Sequence, residues 1–373
     1  MKIKFTALVV AIMLPAAFFI YSISNDYKTM TGIAEKRIKE CINLNTNQER
    51  YDCGKLFLES YYKIADSKVL NNALKSAVLA SGREGASMCH PLSEKIGSLT
   101  SISLGEQALN YLEYSCLGGF VHGVFYRLGL QYSGGEIAAM SVGVCEEFAK
   151  DKPWVAGWDC RHGVGHAISE DIKLSVDEMR LLCTTVYSAV GDQLDCFTGV
   201  IGGVVERLVQ PNPDILGLPS KPWEWCNKLA GNFRSACMQR SGNLASTYYT
   251  SFDEIKSICD ADDKDCVYGL GFYFGSVSLD LSPEERAEHC LSLGGLNVLP
   301  CISGLMRNIT PEYWLLELDP GVCKHFSDEL QYCLQEQNLV RERELTLSQI
   351  YNRESYKFNM VDPAAWPLSE RVS

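Results

Sequence analysis

The chain lacks the short motifs that mark the commonest enzyme classes. Its 373 residues contain no Gly-x-Ser-x-Gly nucleophile elbow, no phosphate-binding loop and no dinucleotide-binding glycine fingerprint. No Cys-x-x-Cys pair occurs, so thioredoxin-type disulfide exchange and covalent haem attachment have no support. The motifs therefore indicate no particular catalytic class.

Basic residues and histidines are scarce as well. Lys and Arg number 34 against 46 Asp and Glu, which gives a net charge of -12, and there are six histidines. A protein that binds the phosphate backbone needs clustered Lys and Arg. The composition therefore argues against a nucleic-acid partner.

The first 24 residues predict a membrane-targeting segment. Lys2 and Lys4 precede an uncharged run of residues 5–23, which is just long enough to span a bilayer and longer than a usual signal-peptide core. Two interpretations remain open: an uncleaved anchor, or a signal peptide cleaved after Ser22-Ile23-Ser24. Length favours the anchor. Both place the main domain outside the cytoplasm, in a periplasmic, extracellular or lumenal compartment.

Sixteen cysteines form eight short-range couples along the chain. The couples are Cys41/Cys53, Cys89/Cys116, Cys145/Cys160, Cys183/Cys196, Cys226/Cys237, Cys259/Cys266, Cys290/Cys301 and Cys323/Cys333. In five couples a glycine follows the second cysteine by three residues, and from Cys116 onward the second cysteines of all couples recur every 29 to 44 residues. Recurrence at this period is typical of repeat proteins, and abundant cysteine is typical of oxidising compartments. We predict that each couple is a disulfide; the rival scheme joins each second cysteine to the next couple's first.

The residues around each couple predict two helices per repeat. Apolar residues lie three positions after the first cysteine in five couples: Phe148, Val186, Leu229, Leu293 and Phe326. Aspartate precedes the second cysteine at Asp159, Asp195 and Asp265, which predicts an N-cap there. The predicted fold is an all-α solenoid of helical repeats over residues 25–356, cross-linked by a disulfide within each repeat and followed by a tail at 357–373.

The recurrent glycines predict close helix packing. On a helical wheel the second cysteine and the residues three and seven positions later form one narrow stripe. Gly199 and Gly203 fill those positions, as do Gly119 and Gly123. Small residues four apart let two helix backbones approach closely, and a packing contact would offset the roughly 1 kcal/mol that glycine costs inside a helix.

Three histidines in neighbouring repeats predict a metal site. His162 and His166 are four residues apart on one helix, a spacing that suits joint coordination of one ion. His122 and His166 each lie six residues after a second cysteine, so stacked repeats would bring them together. Glu170 and Glu206 are the candidates for a fourth ligand. This set would suit zinc, iron or copper; the alternative is that the histidines only line a polar groove.

Two functions follow from these patterns. The first is an extracytoplasmic, membrane-anchored helical-repeat protein that binds a protein or small molecule in the groove of the repeats. Core packing is the default interpretation of the tryptophans and tyrosines, and on a concave face of the repeats they would instead be contact anchors. The second is a metal-dependent enzyme on the same scaffold, with His122, His162 and His166 as ligands and a metal-bound water at the reacting position.

Overall fold

The computed structural model describes most of the chain between residues 27 and 350. The described residues are 27–116, 118–150, 152, 154–208, 224, 226–244, 252–256, 259, 263–275, 281–315 and 321–350, apart from some side chains within helices. All regular secondary structure in these residues is helical. The predicted all-α class is therefore confirmed. The predicted anchor at 1–24 and tail at 357–373 lie outside the described residues.

The chain packs as two compact units, which divide between Met88 and Cys89. The first unit contains α1 (residues 27–42), α2 (Asn47–Tyr61), α3 (Ser67–Ala80) and the start of α4 (Gly82–Leu104). Thr46 caps α2 by accepting from the backbone N–H of Glu49, whose side chain bonds back to Thr46, and this reciprocal pair satisfies two free N–H groups. Ile38, Leu58 and Leu74 lie in the core of this unit.

The second unit continues with helices that are mostly short. After a 3-10 helix at Gly105–Tyr111 they are α5 (Gly119–Gly129), α6 (Gly134–Ser141), α7 (Val144–Ala149), α8 (Trp154–Ser169), α9 (Val176–Val186), α10 (Val190–Leu208), α11 (Gly231–Asn243), α12 (Phe252–Lys256), α13 (Lys264–Phe274), α14 (Pro283–Leu291), α15 (Val298–Leu315) and α16 (Leu330–Ile350). Two further 3-10 turns lie at Gly295–Asn297 and Cys323–His325. The helices that carry a second cysteine, or begin just after one as α5 does, pack in chain order: α5 on α8, α8 on α10, α10 on α11, α11 on α13, and α13 on α15.

All eight predicted cysteine couples are disulfides in the structure. Their Cα atoms lie 5.3 to 5.7 Å apart, within the range that a disulfide requires. No cysteine is left free, so the rival pairing between successive couples is wrong. Eight disulfides are consistent with an oxidising compartment outside the cytoplasm.

The glycine stripe packs against the preceding helix, as the sequence predicts. A Cβ atom on Gly199 would overlap the carbonyl oxygen of His162, and one on Gly269 would overlap the carbonyl oxygen of Gln239. The same holds for Gly304 against Tyr268. Since backbone atoms cannot move independently of their helix, any side chain at these positions would push two helices apart.

The predicted aspartate caps are wrong. Asp159 and Asp195 lie inside α8 and α10, and Asp263 rather than Asp265 caps α13 by accepting from the N–H of Cys266. Two of the three aspartates instead join neighbouring helices. Asp195 accepts from both Nε and Nη2 of Arg161, at 3.0 and 2.7 Å, and Asp265 accepts from Gln239 at 2.9 Å. Because these helices begin earlier than predicted, each aspartate lies within its helix and not at the N-cap position.

None of the described helices has both the length and the hydropathy that a membrane crossing requires. The N-terminal run that predicts the anchor is not among these helices.

Candidate metal centre

Four of the six histidines of the chain lie together in the second unit. His90 comes from α4, His122 from α5, and His162 and His166 from α8. Glycines on these helices allow the approach. A Cβ atom on Gly119 would lie 2.6 Å from the carbonyl oxygen of His90, and one on Gly163 would lie 3.2 Å from Cδ2 of His122.

The rings of His122, His162 and His166 form a compact triangle. Their centroids are 5.5 Å apart for His122 and His162, 5.8 Å for His122 and His166, and 4.8 Å for His162 and His166. Three imidazoles bound tetrahedrally to one ion at 2.0–2.1 Å would have centroids about 5 Å apart. The His162–His166 pair has this spacing, whereas both distances to His122 are longer.

The closest approach is between two ring nitrogens. Nε2 of His162 and Nε2 of His166 are 3.2 Å apart. Two nitrogens that share one zinc ion tetrahedrally would be roughly 3.3 Å apart. At this distance one nitrogen donates a hydrogen bond to the other, so a single proton lies where an ion shared by the two histidines would bind.

Hydrogen bonds determine which nitrogen of His162 carries no proton. Thr198 uses its hydroxyl proton to donate to the carbonyl of Asp195 at 2.7 Å. Its oxygen must therefore accept from Nδ1–H of His162, which is 3.0 Å away. Neutral His162 then has a lone pair on Nε2, which accepts from Nε2–H of His166.

His90 and His122 are oriented in the same way by backbone carbonyls. Nδ1 of His90 lies 2.8 Å from the carbonyl oxygen of Cys116, and Nε2 of His122 lies 3.2 Å from that of Asp159. A carbonyl only accepts, so each of these nitrogens is protonated, and the second nitrogen of each neutral ring carries no proton. Metal-binding histidines usually donate their second N–H to such an oxygen.

Burial and neighbouring positive charge favour neutral imidazole at the centre of the cluster. His162 is 3% exposed, and its pKa is well below the usual 6.5 because burial disfavours the imidazolium and because His166 and Arg240 add positive charge nearby. Trp158 stacks on the His162 ring at 4.6 Å. A neutral imidazole is the form that binds metal.

The predicted glutamate ligands differ in position. Glu170 follows the last residue of α8, one turn beyond His166, and is partly exposed. Glu206 lies in α10, and its side chain is outside the described residues. In the described part of the chain, no group of three or more His, Cys, Asp or Glu side chains is already arranged around an ion position. His122 in particular would have to reorient or shift to complete a set with His162 and His166.

Sequence reasoning missed His90. Its ring lies 5.2 Å from that of His122, and its Nε2 lies 3.9 Å from Glu94. His90 directly follows the first cysteine of its couple, whereas the other three histidines follow a second cysteine. The only available signal was therefore its place next to Cys89, which the disulfide to Cys116 brings to the start of α5.

A separate cleft of about 350 Å³ lies on the later helices of the second unit. Its walls come from α11, α13, the 3-10 turn at Gly295–Asn297, α15 and α16, and include Gln239, Lys264, Tyr268, Leu296, Leu299 and Tyr332. Leu296 is 79% exposed, so this cleft presents apolar surface to solvent. Its volume is at the lower end of the range of small-molecule sites.

Comparison of the chain with known protein families, with curated proteins and with solved structures gives no match.

Proposed function

We propose that this protein is an extracytoplasmic, membrane-anchored solenoid of helical repeats that binds one transition-metal ion at His122, His162 and His166. The observation that carries the proposal is the 3.2 Å separation of Nε2 of His162 and Nε2 of His166. An ion would replace the proton that these nitrogens share, and His122 would supply the third imidazole. Zinc, copper and iron all accept such ligands.

The proposed order of events follows from the hydrogen bonds. Thr198 holds His162 in the tautomer with an unprotonated Nε2. An ion bound to Nε2 of His166 would require the proton on that nitrogen to move through solvent to Nδ1, so that the ring stays a neutral imidazole. Rotation of the His122 side chain would bring its bare nitrogen to the ion. A fourth position then stays open for water, as in catalytic zinc sites, so the same site supports the metal-dependent enzyme considered above.

Metal uptake by histidine variants tests this proposal. The full chain is purified, stripped with chelator and titrated with zinc by calorimetry. His122→Ala and His166→Ala should each weaken binding by at least about tenfold, because the remaining two imidazoles cannot fix the geometry. His289 and His325 lie outside the cluster, so His289→Ala and His325→Ala are matched controls. Equal affinities in all four variants would refute the assignment.

The cleft supports a second candidate function, the binding of a small molecule or peptide on the repeats. Tyr268, Leu296 and Tyr332 offer aromatic and apolar contacts beside the charged Lys264. Ligand-observed NMR with a fragment library tests it. Fragments that bind the parent chain should no longer bind Leu296→Lys, and fragments that bind both proteins equally would contradict this assignment.

A further inference from the structure

The guanidinium of Arg240 lies beside the nitrogens that would hold the metal. A Cβ atom on Gly202 would be 3.0 Å from Nε2 of His166 and 3.3 Å from Nη2 of Arg240. The two groups therefore meet over the same point of α10, which only a glycine leaves open. Arg240 comes from α11, so a third repeat contributes to the cluster.

The charged groups that act on His162 are all basic. After burial, His166, Arg240, His122 and His90 each lower its pKa. Arginine stays protonated at any physiological pH. A divalent ion on the histidines would add positive charge beside this guanidinium, and the unfavourable energy of such a pair falls when an anion lies between them.

Part of the cluster reaches the surface. His122, His166 and Arg240 are partly exposed, whereas His90 and His162 are each 3% exposed. Three imidazoles leave a tetrahedral ion with one open position. Arginine binds carboxylate and phosphate oxygens with two parallel N–H donors.

We propose that the metal-loaded cluster takes a small oxyanion, with one oxygen on the ion and another on the guanidinium of Arg240. This inference rests on the proposed metal site and names the class of ligand or substrate that the site would accept: a compound with a carboxylate or phosphate group. Gly202 provides the close approach that the bridging geometry needs.

Cobalt spectroscopy tests the inference. The full chain is loaded with cobalt(II), whose visible absorption reports its ligands, and is titrated with acetate or inorganic phosphate, with chloride as the control anion. We expect a saturable spectral change with the oxyanions. In Arg240→Gln the apparent dissociation constant should rise at least tenfold while cobalt stays bound. Arg234→Gln, on the same helix but paired with Asp263, should behave like the parent.

The outcomes separate the two proposals. An unchanged spectrum, or equal oxyanion affinity in the parent and Arg240→Gln, would overturn the oxyanion site and leave the metal site standing. If cobalt does not bind to the parent chain, the metal site is wrong and the oxyanion site falls with it. An oxyanion response in the parent that Arg240→Gln alone loses supports both.

Discussion

Two glycines of the same helix should respond oppositely to the same substitution. Gly199 and Gly191 both lie in α10, and alanine adds one methyl group at either position. A Cβ atom on Gly199 would overlap the carbonyl oxygen of His162, whereas one on Gly191 would meet nothing within 4 Å. We therefore expect Gly199→Ala to destabilise the protein and Gly191→Ala to leave it unchanged or stabilise it.

The magnitudes follow from these contacts. Overpacking a close contact costs about 1–3 kcal/mol, and the contact here is with backbone, which can yield only if α8 and α10 separate. Alanine in place of an unconstrained helical glycine gains up to about 1 kcal/mol, less near a helix end. The two variants should therefore differ by about 1–4 kcal/mol, or at least about 1 °C in Tm for a chain of 373 residues.

Thermal unfolding followed by circular dichroism measures the difference, with all disulfides intact. Mass spectrometry without reduction should give the same disulfide map for both variants, so that a stability difference reflects packing. Equal melting temperatures for Gly199→Ala and Gly191→Ala would refute the argument that the glycine stripe is a helix-packing surface.

Three further predictions concern the cluster. His162 has a depressed pKa in the folded state, so its contribution to the free energy of unfolding is present above about pH 6.5 and falls by up to about 1.4 kcal/mol per pH unit below it. In urea denaturation after chelator treatment, the free energy of unfolding should therefore fall less between pH 7 and pH 5 for His162→Gln than for the parent. An identical fall would contradict the assignment. Gly202→Ala should weaken zinc binding by displacing His166, while Gly191→Ala should not, as measured by calorimetry. Thr198→Ala should weaken zinc binding about 10- to 100-fold, because the His162 ring loses the partner that sets its tautomer. Thr184→Ala, at a partly exposed threonine outside the cluster, is the control. Equal affinities would show that Thr198 does not position the ring.

The sequence predicted the local features of the fold well. Each disulfide joins two cysteines that are 7 to 27 residues apart in the sequence, so spacing along the chain was enough to pair them. The Cys-x-x-Gly recurrence predicted the packing stripe. Glycine lowers the stability of the helix that contains it, and close packing against a neighbouring helix offsets that cost. The recurrence also predicted that His122 approaches His162 and His166, and the packing of α5 on α8 brings these rings together.

Features that depend on helix boundaries or on irregular repeats escaped prediction. Asp195 has the residue type of an N-cap, but α10 begins five residues earlier, at Val190, which turns its carboxylate toward Arg161. His90 lies on α4, the helix of the most widely spaced cysteine couple, where the repeat pattern gives no equivalent position. Arg240 is brought to the cluster only by the packing of α11 on α10, a contact that no local motif indicates.

The position of a bound ion is the decisive test of a metal site at His122, His162 and His166. A crystal of the full chain soaked in zinc and measured above and below the zinc absorption edge should show one strong anomalous peak, within about 2.0–2.1 Å of a nitrogen from each of His122, His162 and His166. A map with no peak in this triangle, or with peaks only at His289 or His325, would contradict the account.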